Sequence, residues 1–360
     1  MKHSHFITHL LLATFLQIIP IAVFSSNVKN QHINLGARSG LSKGIIFGEP
    51  ALPTQLPWIA MLKIMDYQNR SWLCSAVMIT PKFLLSAVHC FNPQGSLTGR
   101  AEFVEIRFNF VKLRNSNRHT LLITEHDIIK HPDFDKNELL NDICILKIPE
   151  SACNFFDYDF NFPLLDRTPV EIVKHFEVAG WGMTETGGNP QSLMTVELDY
   201  LASNECNLKA NYKVGNQLQN WVYNETQFCL YGDKNWEYSK RYKHRNTIRA
   251  DACTGDSGGP VYSYKNGYRL NGLISFGPKN CGANIPGVYT RISSYIDWIK
   301  AVTKYDQTEV QSCKHFKIQD DDAHDDDDIS FVQYIQEKFS SSSHGLNSDI
   351  ATAILIYFFA

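Results

Sequence analysis

Short apolar runs recur along most of the chain, and polar turn-forming residues separate them. The clearest runs after Ile45 are residues 58–64, 76–79, 83–88 and 103–110. Clusters of Gly, Pro and Asn divide the chain between such runs, as at Asn92-Pro93, His131-Pro132 and residues 187–190. Many short strands joined by turns are typical of antiparallel sheets. The pattern therefore predicts an all-β domain.

One late stretch, residues 293–302, departs from the strand pattern and predicts a helix. Ile292, Ile296 and Ile299 recur at helical spacing. The pair Ser293-Ser294 supplies side chains of the type that cap a helix N-terminus. We expect this helix to end the folded domain, because the composition changes sharply after residue 302.

The first residues read as a targeting segment. Lys2 lies in a short polar start, an apolar stretch covers residues 10–24, and small residues allow a cut before Ser26. This arrangement predicts a secretory signal peptide over residues 1–25, followed by a polar leader over residues 26–44. A membrane anchor is the alternative, but Pro20 interrupts the stretch and a span needs about 20 apolar residues.

The last residues have a third composition. Residues 303–349 are acidic and Ser-rich, and the run DDDAHDDDD at 320–328 repels itself, so we expect a disordered spacer. The apolar end, residues 350–360, covers only about half of a bilayer core at about 1.5 Å per residue. Small residues, a spacer and an apolar end together match a glycolipid (GPI) anchor signal, which would attach the protein to the cell surface. A plain frayed tail is the alternative.

Composition and charge limit the function classes. The chain has 360 residues and a formal net charge of −3, which gives no sign of nucleic-acid binding. Secretion implies an oxidising compartment, so most of the nine cysteines should be paired, with at least one free or bonded to another chain. Sequons at Asn69 and Asn224 are compatible with glycosylation. We find no convincing set of metal ligands, and no cofactor is implied.

The segment CTGDSGGP, residues 253–260, has the features of an exposed nucleophile. Glycines on both sides of Ser257 allow the backbone to turn tightly there. Such a turn can aim the N–H groups of Gly255 and Ser257 at one point, where a developing oxyanion is held. A Gly-rich loop without chemistry is the alternative for this segment taken alone.

Two further motifs stand upstream of this segment. Residues 84–90 read LLSAVHC and residues 141–146 read NDICIL. With CTGDSGGP they resemble the histidine, aspartate and serine motifs of the trypsin-like (chymotrypsin-fold) serine protease family, in that family's chain order. The resemblance covers residues 45–302. It implies two six-stranded antiparallel β-barrels with a C-terminal helix, and a catalytic site in the cleft between the barrels.

The resemblance also implies a role for each motif residue. Ser257 would be the nucleophile, His89 the base that takes its proton, and Asp142 the carboxylate that fixes the tautomer of the imidazole. A histidine has an intrinsic pKa near neutrality, which suits this task. Taken singly, His89 could be a core or surface residue and Asp142 a turn residue. Three motifs in the family's order argue against that interpretation.

The family's specificity pocket is read from three places. Asp251 stands where the related proteases have the pocket floor, and Gly277 and Gly287 match the walls. A buried carboxylate there would bind Arg or Lys through charge-assisted hydrogen bonds, so cleavage after Arg or Lys is predicted. A solvated loop aspartate is the alternative. Ser275 and Phe276 are expected on the strand that pairs with the substrate backbone, with Phe276 where Trp is more usual.

Family spacing also implies disulfides. One further family bridge is missing on both sides, with Phe176 and Ser263 in its places. Cys144, Cys153 and Cys313 are left over, and one pair among them is expected without a choice between the alternatives. The implied pairs are Cys74–Cys90, Cys206–Cys229 and Cys253–Cys281.

Activation is where the chain departs from the family pattern. In the family, a cut after Arg or Lys frees an N-terminal Ile whose ammonium pairs with the Asp before the serine, here Asp256. Ile45 holds the matching position, yet Gly44 and not a basic residue precedes it, with Lys43 one residue further back. A cut before Ile45, acceptance of Gly44, or a permanently zymogen-like state all remain open.

A basic insert covers residues 232–249, between Cys229 and Asp251. It is interpreted as an exosite for an acidic partner, a site of self-nicking or a solvated loop. The whole sequence predicts a secreted serine endopeptidase that acts on protein or peptide substrates with Arg or Lys before the scissile bond. An activating protease and protein inhibitors are its other implied partners. The alternative is a zymogen-locked, protease-like regulatory or binding module.

Overall fold

The computed structural model describes most of the chain between residues 45 and 304. The predicted signal peptide, leader, acidic tail and apolar end lie outside the described residues, as do Asn224, Cys313 and residues 234–247 of the basic insert. The described residues are 45–52, 54–92, 101–108, 120–149, 151–155, 160–185, 187–210, 213–214, 217–218, 222, 225–233 and 248–304.

Strands dominate the described residues, which confirms the all-β class. The strands are β1 Glu49–Pro50, β2 Ile59–Asp66, β3 Ser71–Thr80, β4 Phe83–Ser86, β5 Ala101–Arg107, β6 Thr120–Thr124, β7 Ile128–Lys130, β8 Cys144–Lys147, β9 Leu164–Leu165, β10 His175–Gly180, β11 Met194–Leu201, β12 Lys213–Val214, β13 Gln217–Leu218, β14 Gln227–Tyr231, β15 Pro260–Tyr264, β16 Tyr268–Phe276 and β17 Gly287–Arg291. The helices are α1 Ser203–Ala210 and α2 Ile296–Thr303. None of these helices is long and apolar enough to cross a membrane.

Two antiparallel sheets carry the fold. The first has the order β6-β5-β2-β3-β4-β8-β7 and curls around its own core. The second runs β11-β10-β15-β16-β17-β14, and β14 pairs back with β11, so six strands close into a barrel. The two-barrel architecture is therefore confirmed, with the second barrel closed and the first a curled half-barrel. Closure leaves no free sheet edge in the second barrel.

The two sheets share one apolar contact region. Trp58, just before β2, is fully buried and its ring stands edge-on to that of Tyr262 in β15, with centroids 5.5 Å apart. Aromatic pairs of this geometry contribute about 0.5–1.5 kcal/mol beyond their buried area. Leu270 and Leu273 of β16 belong to the same buried cluster. This contact fixes the barrels side by side, which positions the loops that meet between them.

The C-terminal helix is present, but its start differs from the prediction. The serine pair lies in a 3-10 turn over Ile292–Ser294, and α2 begins only at Ile296. No side chain caps α2, because the Ser294 hydroxyl donates instead to the carbonyl of Glu225. The expected serine cap is therefore wrong. The apolar spacing was informative, since Ile296 and Ile299 are buried in the core.

The three disulfides implied by the resemblance are all present: Cys74–Cys90, Cys206–Cys229 and Cys253–Cys281. The first spans 16 residues, for which the chain-entropy model gives about 3 kcal/mol. Of the three remaining cysteines, Cys153 is also disulfide-bonded, whereas Cys144 is buried with a free thiol.

The positions of the missing family bridge are filled in two ways. Phe176 is buried and packs its ring against that of Phe228, with centroids 5.8 Å apart. Ser263 donates its hydroxyl to Asn271 Oδ1 at 2.8 Å. The two residues flank the pair Glu177–Tyr262, where β10 meets β15. Apolar packing and a hydrogen bond thus stand where a covalent link is usual.

Candidate active site

His89 and Asp142 meet because β4 and β8 are neighbouring strands. Ser86, the last residue of β4, lies opposite Cys144, the first residue of β8. His89 follows β4 in a 3-10 turn over Val88–Cys90, and Asp142 stands two residues before β8. The backbone N–H of His89 donates to Asp142 Oδ1 at 2.9 Å, and His89 Nδ1 lies 2.7 Å from Oδ2. One carboxylate therefore holds both the main chain and the ring of the histidine.

The second barrel completes the surroundings of Asp142. The hydroxyl of Ser275 in β16 donates to Asp142 Oδ2 at 2.6 Å, and Thr290 Oγ1 in β17 donates to the Asp142 carbonyl at 3.0 Å. Asp142 is fully buried. Burial alone would raise its pKa, but the charge of His89 and the hydrogen bonds from His89 and Ser275 outweigh burial and hold the pKa below its ordinary value. Asp142 is thus a charged, immobile acceptor.

The interaction with Asp142 shifts the pKa of His89 in the opposite direction. Burial disfavours the protonated ring, yet the nearby Asp142 carboxylate outweighs burial and raises the pKa of His89 above its ordinary value. The side chain is 21% exposed, so its outer edge reaches solvent. With Nδ1 engaged by Asp142, Nε2 is the nitrogen that can exchange a proton with a group in the cleft.

Ser257 lies in a tight turn against the first sheet. The Ser257 carbonyl accepts from the N–H of Ser75 at 2.8 Å, and Cys90 Sγ lies 3.7 Å from the same oxygen. Gly255 and Gly258 have φ of 101° and 77°, values that favour glycine. These contacts place the serine beside the residue that follows His89. Among the described residues, its hydroxyl makes no hydrogen bond to the His89 ring.

Two backbone donors in this turn are unused. Neither the N–H of Gly255 nor that of Ser257 donates to another group in the part of the chain that the structure describes. The neighbouring Asp256 N–H, by contrast, is bonded to the carbonyl of Cys253 at 2.9 Å. Gly255 and Ser257 can therefore donate to an oxygen from outside the protein, as the sequence predicts for an oxyanion hole.

Asp251 is a buried carboxylate with few partners. Its side chain accepts from the N–H of Gly282 at 2.9 Å, and the residue is only 6% exposed. Burial raises the pKa of Asp251 to about 7, although hydrogen bonds from Gly282 and Ala252 oppose the shift. No cation pairs with Asp251 within the described residues. A positive group entering here would remove the cost of burying this charge.

The predicted wall glycines face one another. A Cβ on Gly277 would lie 3.7 Å from Gly287 Cα, and a Cβ on Gly287 would lie 2.8 Å from the Tyr289 hydroxyl. The Tyr289 hydroxyl is buried and has no hydrogen-bond partner among the described residues, and burial together with the nearby Asp251 charge raises its pKa well above the ordinary value. Asp251, both glycines and Tyr289 thus converge. The sequence interpretation missed Tyr289, although it stands two residues after Gly287 and so on the same strand face.

Ser275 and Phe276 end β16, the strand on which they are predicted to pair with the substrate backbone. The Ser275 hydroxyl donates to Asp142, which leaves its backbone groups out of that contact. Its neighbour Phe276 lies next to a break in the β16–β17 register and packs on a small apolar cluster. A backbone contact of these two residues with substrate stays a prediction.

The segment that begins at Ile45 is docked in the second barrel. Ile45 is fully buried, and Ile46 and Asp251 exchange backbone hydrogen bonds of 2.9 and 3.3 Å. Ile45 has φ of 52°, which is strained for a β-branched residue. Ile45 therefore occupies a fixed internal place while still joined to Gly44.

Asp256 lies in a closed space lined by glycines. Its carboxylate accepts from the N–H of Gly182 at 2.7 Å and that of Cys253 at 2.9 Å. A Cβ added at Gly180 or Gly182 would come within 2.1 or 2.5 Å of the carboxylate, so both must be glycine. Burial raises the pKa of Asp256 to about 7, and no cation accompanies it in the described part of the chain.

The uncut protein is expected to be less stable at pH 8 than at pH 5. Asp251 and Asp256 have folded pKa values of about 7 against ordinary values of 3.8. The folded state binds these two protons more tightly than the unfolded state does. The contribution of the two carboxyls to the free energy of unfolding is therefore fully present below about pH 4 and is lost as the pH rises through 7. At its steepest, the free energy of unfolding falls by about 1.4 kcal/mol per pH unit for each carboxyl. Urea unfolding of the inactive Ser257→Ala chain between pH 5 and 8 measures it.

Asp256→Asn tests the assignment, since it keeps the size of the side chain and removes the titration. The contribution of Asp256 to the pH dependence of stability should vanish in this variant, while Asp233→Asn, a change at an exposed aspartate, should leave the pH dependence as it is. His89, whose pKa is raised, acts in the same direction in all these variants. An undiminished pH dependence in Asp256→Asn would contradict the prediction.

Comparisons with known proteins agree with this geometry. The Trypsin family model matches residues 45–299. CLIP domain-containing serine protease B15 of Anopheles gambiae is 30% identical over 285 residues, covering 73% of this chain and 70% of the relative. Kallikrein-4 of Homo sapiens is 30% identical over 264 residues, covering 73% of this chain and 88% of the relative. Clotting factor G beta subunit of Tachypleus tridentatus is 25% identical over 314 residues, covering 79% and 91%. The chain belongs to the trypsin-like serine protease family.

Proposed function

We propose that the protein is a secreted endopeptidase that cleaves after Arg or Lys, with Ser257, His89 and Asp142 as its catalytic triad. The observation that carries the proposal is that two hydrogen bonds join His89 to buried Asp142, beside a serine turn whose two N–H donors are unused in the described part of the chain. A structural histidine has no need of such an arrangement. The substrates are proteins or peptides, as the family implies.

The mechanism follows from the positions of these groups. His89 Nε2 takes the proton of the Ser257 hydroxyl as its oxygen attacks the substrate carbonyl carbon. The N–H groups of Gly255 and Ser257 bind the oxyanion that forms. The protonated His89, stabilised by Asp142, then gives the proton to the leaving amine, which leaves an acyl group on Ser257. Water, activated by His89, releases the acid and restores the serine.

Asp251 supports the specificity. It is a buried carboxylate with no paired cation in the described part of the chain, and burial raises its pKa to about 7 because the charged form is costly there. An Arg or Lys side chain lying between Gly277 and Gly287 would pair with it and lower that cost. An uncharged substrate side chain would leave the carboxylate unpaired. Tyr289, whose hydroxyl has no partner within the residues that the structure describes, is available as a second polar contact.

Activation is proposed to start from a cut before Ile45. The new ammonium would supply the cation that Asp256 lacks, and pairing would lower the raised pKa of that carboxyl. Gly44 is the obstacle, because a cut after Lys43 leaves the chain one residue too long. The alternative function, a zymogen-locked regulatory or binding module, rests on this residue and on Asp256 lacking a partner cation in the described residues.

An arginyl amide assay on the secreted protein, before and after limited proteolysis, separates the two functions. We expect activity to appear only with a chain whose N-terminal sequence begins at Ile45. N-terminal sequencing of the active and inactive forms identifies the cut. If chains beginning at Ile45 stay inactive on arginyl and lysyl amides, the endopeptidase proposal fails and the binding module is favoured.

Secretion, glycosylation at Asn69 and Asn224, and the GPI anchor belong to the same proposal. Asn69 supports it by position, because it lies exposed in the turn between β2 and β3 with φ of 60°. An asparagine tolerates this backbone conformation, and a glycan there would project into solvent.

A further inference from the structure

Three side chains capable of binding a metal meet on the outer face of the second barrel. His175 begins β10, and its register partner on β11 is Asp199. Glu197 stands two residues before Asp199 and therefore projects from the same face of β11. The three side chains are 62%, 48% and 67% exposed, so an ion can reach them from solvent. None of them takes part in the catalytic site.

The ligand atoms lie at distances suited to one small ion. His175 Nδ1 is 2.6 Å from Asp199 Oδ1 and 3.7 Å from Glu197 Oε1, and one atom from each residue lies within 4.8 Å of the others. Ligands held about 2.0–2.2 Å from a tetrahedral metal are separated by about 3.4 Å. Small rotations of exposed side chains would bring the three atoms to that spacing, on two strands that the barrel holds rigidly.

The charges around the cluster favour a cation over a simple ion pair. Glu197 lies directly opposite Glu177 across the two strands, and like charges in that position are destabilising. Glu177 is already held by the hydroxyls of Tyr262 at 2.6 Å and Thr195 at 3.2 Å. Glu197 makes no hydrogen bond in the part of the chain that the structure describes, and its one ion pair is the 3.7 Å contact with His175.

A groove continues the negative surface beside the cluster. Glu197 lines a cavity of about 620 Å³ together with Glu49, Glu177 and Asp233. The described residues that line the groove include no Lys or Arg, so a divalent cation bound at the cluster would remove repulsion among these carboxylates as well as gain ligands. The groove thus raises the local concentration of cations next to the three ligands.

The geometry points to a Zn²⁺ site formed by His175 Nδ1, Glu197 Oε1 and Asp199 Oδ1. One nitrogen and two carboxylate oxygens suit Zn²⁺, and three protein ligands leave a fourth position for water. The ion would link β10 to β11 on the barrel surface. It acts there on the stability of the barrel, independently of the proposed peptidase chemistry.

Equilibrium dialysis of the full secreted chain against ZnCl₂ tests the site, with Ser257→Ala as background to prevent self-digestion. We expect His175→Ala to bind one Zn²⁺ fewer per chain than the unaltered protein in the micromolar range. Glu197→Gln should weaken binding at this site by at least about tenfold, since even changes around the ligands alter metal affinity by 10–100-fold. Zn²⁺ at about 100 times the dissociation constant should raise the unfolding midpoint by about 5–10 °C, and His175→Ala should abolish that rise.

His126→Ala is the matched control, because His126 is also exposed and stands between two acidic residues, Glu125 and Asp127. It should bind as much Zn²⁺ as the unaltered protein. Ions bound elsewhere on the chain count equally in all variants and cancel in the comparison. The site is disproved if His175→Ala and Glu197→Gln both retain the full Zn²⁺ content, or if the unaltered chain shows no binding up to about 1 mM.

Discussion

Replacing Ser257 with Ala is expected to lower kcat on an arginyl amide by about 10⁶-fold. The substitution removes the hydroxyl oxygen that is proposed to carry the acyl group, and removal of such a nucleophile in an unrelated serine protease has an effect of this size. The remaining rate, about 10³–10⁴-fold above the uncatalysed rate in water, would come from the two N–H donors and from substrate binding. Steady-state kinetics on protein beginning at Ile45 measures the loss.

Two controls accompany this prediction. Ser263→Ala removes a hydroxyl that bonds Asn271 and no group of the site, so it should leave kcat unchanged. Adding His89→Ala to Ser257→Ala should cause little further loss, because residues that act as one unit are not additive. If Ser257→Ala retained unaltered activity on an ester substrate, the assignment of the nucleophile would be wrong.

Asp251→Asn is expected to lower kcat/KM for an arginyl amide by about 150- to 4,000-fold. Breaking a buried ion pair from one side costs about 3–5 kcal/mol, and each 1.4 kcal/mol is a tenfold change. Asparagine keeps the size of the side chain and an oxygen that can accept from the Gly282 N–H. A lower kcat/KM would therefore result from the missing negative charge and not from a collapse of the pocket.

A citrullyl amide is the matched substrate, since citrulline has the shape of arginine without its charge. The unaltered enzyme should discriminate strongly between the two substrates, and Asp251→Asn should show little discrimination. The free variant should also be at least as stable as the unaltered chain at pH 8, because an unpaired buried charge is gone. An unchanged ratio of kcat/KM values would remove Asp251 from the pocket floor.

The short apolar runs were sufficient to predict the sheets, because a strand buried against a barrel core needs only a few apolar residues between turns. The resemblance of the three motifs predicted that His89, Asp142 and Ser257 lie together. The structure places His89 against Asp142, whereas the Ser257 hydroxyl makes no hydrogen bond to the His89 ring among the described residues. The roles of these residues stay predictions until activity is measured. Local patterns did not predict α1, whose sequence SNECNLKA has little apolar spacing.

Contacts that depend on register were beyond the sequence. Ser275 bonds Asp142 across 133 residues, and His175 meets Asp199 only because β10 and β11 pair in one register. The serine pair before α2 shows the converse, because its composition favoured a cap while tertiary contact with Glu225 decided otherwise. A propensity describes what a residue can do locally, whereas the fold decides which of several partners it receives.

The buried thiol of Cys144 gives the molecule an internal reporter of opening. Cys144 lies fully buried at the start of β8, and burial raises the pKa of its thiol well above the ordinary value. A thiol reagent attacks the thiolate, so neither access nor chemistry favours reaction in the folded state. The rate at which a thiol reagent labels Cys144 would therefore report how often β8, the strand that follows Asp142, separates from its neighbouring strands. This measures local opening of the cleft without any substrate.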